Sequence, residues 1–200
     1  MDTNALLKIG YGLYVLTTHV DGKDNGCIIN TVMQLTVEPC QISICLNKSN
    51  YSCEMLQKSK KFNVSVLNES TDFETIKCFG YQSFKNKNKF DEFNDTKRAL
   101  NGLLYITKNT NAYISAYVTQ EIDLGSHILF IAQVVNAEVL NDMPTLTYDF
   151  YQKNIKPRVQ TVNKKGWQCK ICNYIYEEDS IPQDFICPIC KHGVVDFVKL

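Results

Sequence analysis

The sequence has little that would tie it to a membrane or a nucleic acid. Lys+Arg and Asp+Glu stand at 21 each, a formal net charge of +0, which argues against a broad basic surface for nucleic acid or acidic lipid. There is no run of about 18 apolar residues, so no transmembrane helix is expected. Residues Met1–Lys8 lack the basic-then-apolar order of a signal peptide, and a cytoplasmic setting is expected. Neither G-x-G-x-x-G nor a P-loop occurs, leaving a Rossmann or nucleoside-triphosphate site unsupported. Only three histidines are present, His19, His127 and His192, with no paired-histidine motif of a zinc hydrolase.

Cysteine is plentiful by contrast: nine in 200 residues. Cys27, Cys40, Cys45, Cys53 and Cys78 are scattered and are expected to be buried thiols. Cys169, Cys172, Cys187 and Cys190 form two Cys-x2-Cys pairs fourteen residues apart. Such pairs supply four thiolates to one tetrahedral ion, and a 34-residue segment needs the metal's folding energy because its core is small. Thiolate tetrahedra suit both zinc and iron.

Charge divides the chain at the same place. Residues 1–151 carry 13 basic and 16 acidic side chains, residues 152–166 five basic and none acidic, residues 167–200 three basic and five acidic. The middle stretch, with Pro157 and Gly166, reads as a linker. Its charge is read either as solvation or as attraction for an acidic partner.

Residues 1–151 read as mainly β. Strands are expected at Tyr11–Thr18, Cys27–Gln34, Gln41–Leu46, Phe62–Leu67, Tyr113–Thr119 and Ile128–Val139, with a hairpin signal at Asp21-Gly22 and Asn25-Gly26. Helices are expected at Tyr51–Lys61 and from Thr71 to Phe79, the latter with a Thr71/Glu74 capping box. Many short strands with few helices suggest a barrel. Asn30, Thr31, Gln34 and Thr36 are polar interruptions of the second strand, read either as a solvent-facing side or as ligand contacts. The sequence NKSNYS (residues 47–52) opens a helix; it is read either as plain capping or as an anion site.

Two resemblances narrow these alternatives. The C-terminal pattern W-x-C-x-x-C-x-Y with D-F-x-C-P-x-C, carried by Trp167, Tyr174, Phe185 and Pro188 around the cysteines, resembles the short rubredoxin domain of rubrerythrin-like proteins. It implies one iron on Cys169, Cys172, Cys187 and Cys190, exchanging single electrons. Asn173 and Lys191 stand where that family has glycine, and a structural zinc ribbon is the alternative.

The N-terminal pattern resembles the flavin reductase-like family, the FMN-binding split barrels. It runs through GLYVLTT, NG-x-x-x-NT-x-x-Q-x-T-x-x-P, NKSNYS, FG-x-x-S with Lys89-Phe90 after it, LGSHILFIAQVVNAEVL and TYDFYQKNIK. The fold implied is mainly β: an FMN-binding split β-barrel with a few helices, followed by a small rubredoxin-like metal domain with four cysteine ligands. The resemblance implies that Asn30, Thr31, Gln34 and Thr36 contact the isoalloxazine and ribityl groups. Asn47, Lys48, Asn50, Tyr51 and Ser52 hold the phosphate end, Ser83 belongs to the same cofactor set, and His127 lies at the reactive edge. Lys85 stands where the family often has arginine and supplies charge without bidentate geometry.

The fusion resembles the high-molecular-weight rubredoxins. It implies electron flow from NAD(P)H through FMN and iron to an acceptor such as a flavodiiron protein, in a homodimer with FMN at the subunit interface. A flavin or ferric reductase with a zinc ribbon, and a non-enzymatic carrier loaded by a separate reductase, are the alternatives.

Overall fold

The computed structural model describes residues 2–81, 88–157, 165–171, 174–188 and 192–200. Seven strands form one antiparallel sheet: β1 (Tyr14–Val20), β2 (Lys23–Ile29), β3 (Val32–Thr36), β4 (Gln41–Asn47), β5 (Lys61–Leu67), β8 (Thr110–Asp123) and β9 (His127–Val139), in the order β2-β1-β5-β8-β9-β4-β3. A separate hairpin pairs β6 (Thr96–Arg98) with β7 (Leu104–Ile106).

The sheet curls, because residues from its opposite sides share one core. Cys27 and Ile29 of β2 lie in the same buried cluster as Ile42 and Ile44 of β4, with Phe62, Val64 and Phe130 between them. Bulges at Gln34/Thr36, Val66/Leu67, Ser115/Ala116 and Val118/Gln120 supply the bending. Helix α1 (Tyr51–Ser59) closes the barrel against β1, β2, β4 and β5, burying Cys53, Met55 and Leu56.

The other face of β1 is covered as well. Leu13, Val15 and Leu67 pack with Ile76, Phe79, Ile106, Leu146 and Tyr151 in a second cluster. Helix α2 (Phe73–Ile76), the π turn Lys77–Tyr81, helix α3 (Tyr148–Phe150) and the π turn Tyr151–Ile155 supply this layer. Residues 152–155, read with the linker in sequence, continue that turn, and Ile155 packs on the cluster.

Three expected elements differ in detail. The second strand is broken at Asn30-Thr31 into β2 and β3, because the Thr31 hydroxyl donates to the Cys45 carbonyl (2.9 Å) and accepts from the Cys45 amide (3.2 Å). A side chain there takes the ladder's place. Only Asp21-Gly22 forms the hairpin turn, both residues at positive φ (50° and 76°); Asn25-Gly26 lies inside β2. The cap of α2 is Asp72, whose carboxylate accepts from the Thr75 amide (2.7 Å), not Thr71.

The C-terminal module is a three-stranded sheet, β11-β10-β12, from β10 (Trp167–Cys169), β11 (Ile175–Tyr176) and β12 (Phe197–Lys199). Its core holds Cys169, Cys187 and Phe197, with Trp167, Tyr174, Tyr176 and Phe185 packed around them. No helix of the described residues is long and apolar enough to cross a membrane.

Candidate functional site

Two of the residues singled out along the barrel, Asn47 and His127, meet on one rim. Strand β4 ends at Asn47, directly opposite His127 at the start of β9. The Lys48 amide donates to the Ser126 carbonyl (3.0 Å), so the 47–52 loop is stitched to the β8–β9 hairpin. On the other side of β4 lies β3 with Gln34 and Thr36, an exposed edge strand. From Thr31 to Thr36 the backbone spans about 17 Å at strand rise.

Much of the 47–52 loop's polarity is spent on its own shape. The Asn47 carboxamide oxygen accepts from the Ser49 amide (2.9 Å) and hydroxyl (2.8 Å). Asn50 caps α1, its side-chain oxygen accepting from the Ser52 amide (3.0 Å). Ser52 is 1% exposed, its hydroxyl oxygen accepting from the Asn25 carboxamide (2.9 Å). Tyr51 is half-buried at the first position of α1, and Lys48 is exposed.

Two partners of this rim escape sequence reasoning. Asp123 binds the Lys48 ammonium through both carboxylate oxygens and accepts the Gly125 amide (2.7 Å). Its carboxyl is held below the usual range, first by the Lys48 hydrogen bond. Asn25 reaches Ser52 from β2. Nothing in the local sequence marks either, since each acts across the fold.

His127 is partly exposed, with Nδ1 and the Ser126 hydroxyl 2.8 Å apart. Asn30 lines a cleft of about 1200 Å³ with Tyr11, Tyr14, Thr147, Tyr148 and, from the C-terminal module, Lys170 and Ile171. Gln34 and Thr36 turn toward their own loop, Gln34 donating to the Thr36 carbonyl (3.4 Å) and Thr36 hydrogen-bonding to Pro39 and Gln41. Ser83 and Lys85 lie outside the described residues.

The scattered cysteines are not disulfide-bonded. Cys27 and Cys53 are buried in the barrel core. Burial pushes the Cys53 thiol up to about 11, with the Glu121 carboxylate adding to it, and burial also raises Cys27 and Cys45.

In the module, two backbone hydrogen bonds match. The Cys169 amide donates to the Tyr174 carbonyl and the Cys187 amide to the His192 carbonyl, both at 2.8 Å. Cys169 and Cys187 are each 0% exposed and share one cluster. Phe185 packs on Tyr176 (4.5 Å between centroids) and edge-on to Phe197 (5.5 Å). Cys172 and Cys190 lie outside the described residues. Two buried sulfurs in one aromatic cluster, each from a Cys-x2-Cys pair, fit part of a tetrathiolate metal centre.

The chain is thus a seven-stranded barrel followed by a small cysteine-bearing module. Residues 6–156 match the flavin reductase like domain, and the chain belongs to that family. Residues 167–198 match the rubrerythrin, rubredoxin-like domain.

Among individual proteins, the chain is similar over its whole length to the high molecular weight rubredoxin of Moorella thermoacetica: 33% identical, covering 100% of each chain. It is 42% identical to the ferric-chelate reductase (NAD(P)H) of Archaeoglobus fulgidus over 81% of this chain and 97% of that one. Among solved structures, flavin reductase PheA2 in its native state superposes with a TM-score of 0.60 at 26% identity, covering 72% of this chain and 88% of its own. The NADH:FAD oxidoreductase SgcE6 of Streptomyces globisporus superposes with a TM-score of 0.66 at 19% identity, covering 72% and 84%; this likeness is one of fold.

Proposed function

We propose that the chain carries electrons from NAD(P)H through FMN to an iron–thiolate centre, and on to an acceptor protein. The observation that carries this reading is the joining, in one chain, of a flavin reductase like domain match over residues 6–156 to a rubredoxin-like domain match over residues 167–198. When bound, FMN takes two electrons as a hydride and releases them singly, which suits a one-electron iron centre.

The chain's own residues supply orientation and shielding. Asn30, Thr31, Gln34 and Thr36 serve the ring and ribityl chain. Asn47, Lys48, Asn50, Tyr51 and Ser52 at the start of α1 serve the phosphate, with Ser83 completing the set. His127 serves the reactive edge, and Lys85 the docking of the nicotinamide. The apolar shell of Trp167, Tyr176, Phe185 and Phe197 keeps water from the sulfurs.

A homodimer accompanies this reading. The edge strand β3 exposes Met33 (61%), Val37 just beyond it is 77% exposed, and β9 exposes Val135 and Val139. An exposed apolar edge strand is a surface for a second copy. A flavodiiron protein is the acceptor class favoured for the iron centre.

The test is a visible spectrum and metal analysis of the untagged protein, followed by Cys187→Ser. Flavin absorption together with an iron–thiolate charge-transfer band supports the reading; a colourless protein holding zinc overturns it. In Cys187→Ser, reduction of the acceptor protein is expected to disappear while NAD(P)H-driven flavin reduction survives. The likeness to a ferric-chelate reductase favours a second reading, ferric reduction at the flavin, in which Cys187→Ser leaves iron-chelate reduction unchanged.

A further inference from the structure

A buried cation lies against β2 and the Lys77–Tyr81 turn. Lys89 is 4% exposed. Its ammonium donates to the main-chain carbonyls of Gly26 (2.9 Å) and Phe79 (3.1 Å) and sits 5.9 Å from the centre of the Phe79 ring. Burial lowers its pKa, opposed by the thiols of Cys27 and Cys78; among the described residues no carboxylate contributes. Burying an ammonium without a carboxylate is costly, so stability alone is a poor reason for a lysine here.

The contact with Gly26 depends on close packing. A Cβ on Gly26 would meet the Phe79 ring at 3.1 Å and the Leu16 carbonyl at 3.2 Å. From Gly26 a buried series of hydrogen bonds continues to the loop. The Gly26 amide donates to the Asn25 side-chain oxygen (2.8 Å), and the Asn25 side-chain nitrogen donates to the Ser52 hydroxyl oxygen (2.9 Å). The Ser52 amide in turn donates to Asn50 (3.0 Å). Asn25 and Ser52 are each 1% exposed. The buried Cys27 thiol lies in the same layer: burial raises its pKa, and the Ser52 hydrogen bond, the Lys89 charge and the Asn50 hydrogen bond act against that rise.

We propose that Lys89, acting through Asn25, is a positioning and specificity-determining residue for the flavin phosphate. Its charge and the ordered donors above it make the 47–52 loop prefer FMN to riboflavin. The inference rests on the assignment of that loop to the phosphate end. Low dielectric around the relay lets a buried charge act at a distance where an exposed lysine would be screened.

The experiment measures FMN and riboflavin dissociation constants by flavin fluorescence on the full chain after flavin removal, with a thermal melt for each variant. Wild type is expected to prefer FMN. Lys89→Gln, which keeps an amide donor for the two carbonyls but no charge, is expected to reduce that preference roughly tenfold, with riboflavin affinity held within about twofold. Lys89→Arg is expected to keep most of the preference. Lys89→Met should behave as Lys89→Gln; where it fails to fold, Lys89→Gln carries the test. An equal loss of both ligands, an unchanged preference, or Lys89→Arg failing like Lys89→Gln overturns the proposal. Wild type without any preference for FMN overturns the phosphate assignment itself, and the proposal with it, before any variant is compared.

Discussion

The Lys48 ammonium lies 2.6 and 2.7 Å from the two carboxylate oxygens of Asp123, across 75 residues of sequence. The loop proposed for the phosphate is thereby tied to the hairpin that carries His127, and its exposed cation already has an anion beside it.

On the proposed assignment of the 47–52 loop, an arriving phosphate would compete with Asp123 for Lys48. Asp123→Asn is therefore expected to tighten FMN binding a few-fold while leaving riboflavin binding unchanged, whereas Lys48→Ala weakens FMN alone. Fluorescence titration of both flavins reads the difference. Because the pair is solvent-exposed, neither change is expected to move the melting temperature measurably. The Asp123 carboxyl is held below 3.8, so the pair is present above that pH and is lost as pH falls through the lowered value.

The Cys53 thiol gives a window at the opposite end of the scale. Its pKa rises from 9.0 to about 11 on folding. The folded state keeps a proton that the unfolded chain releases, so stability is intact below pH 9 and is lost as pH rises toward 11. Denaturant melts across that interval should show the decline, and Cys53→Ala should flatten it. Alkylation of Cys27 and Cys53 should be slow in the native protein and fast in denaturant.

Gly166 has φ +127°, and a Cβ there would lie 2.2 Å from the Tyr176 carbonyl oxygen. Gly166→Ala must therefore displace backbone at the entrance of β10, at a cost of about 1–3 kcal/mol. Iron content after purification is expected to fall sharply, while flavin content holds. Equal loss of both would show that the two modules fold as one.

Met33→Asp and Val37→Asp place charge on the exposed apolar edge at β3. Sedimentation is expected to show half the wild-type mass for either variant, with flavin affinity reduced in step. A wild-type monomer would remove the dimer from the reading.

The strands that alternate or are thick with β-branched residues are legible in the sequence: Phe62–Leu67 and Gln41–Leu46 coincide with β5 and β4 to within a residue. The break at Asn30-Thr31 is not, because it depends on Thr31 bonding to Cys45 on another strand. The hairpin of β6 and β7 has only three residues on each side, too few to show a period. The same limit governs the site. Asn50 is readable as a cap because its partner is two residues away. Asn25–Ser52 and Lys89–Gly26 span 27 and 63 residues, and only the folded barrel brings them together.

Trp167 pairs with Lys199, and the Leu200 amide donates to the Gly166 carbonyl at 2.9 Å, so the start of β10 and the end of β12 lie at one point. A unit whose two ends are stitched together can be cut out, or attached behind another protein, without opening its sheet. For a lineage that recombines redox proteins, or a laboratory that wants to give a different flavoprotein a one-electron outlet, it is a cassette with a single plug.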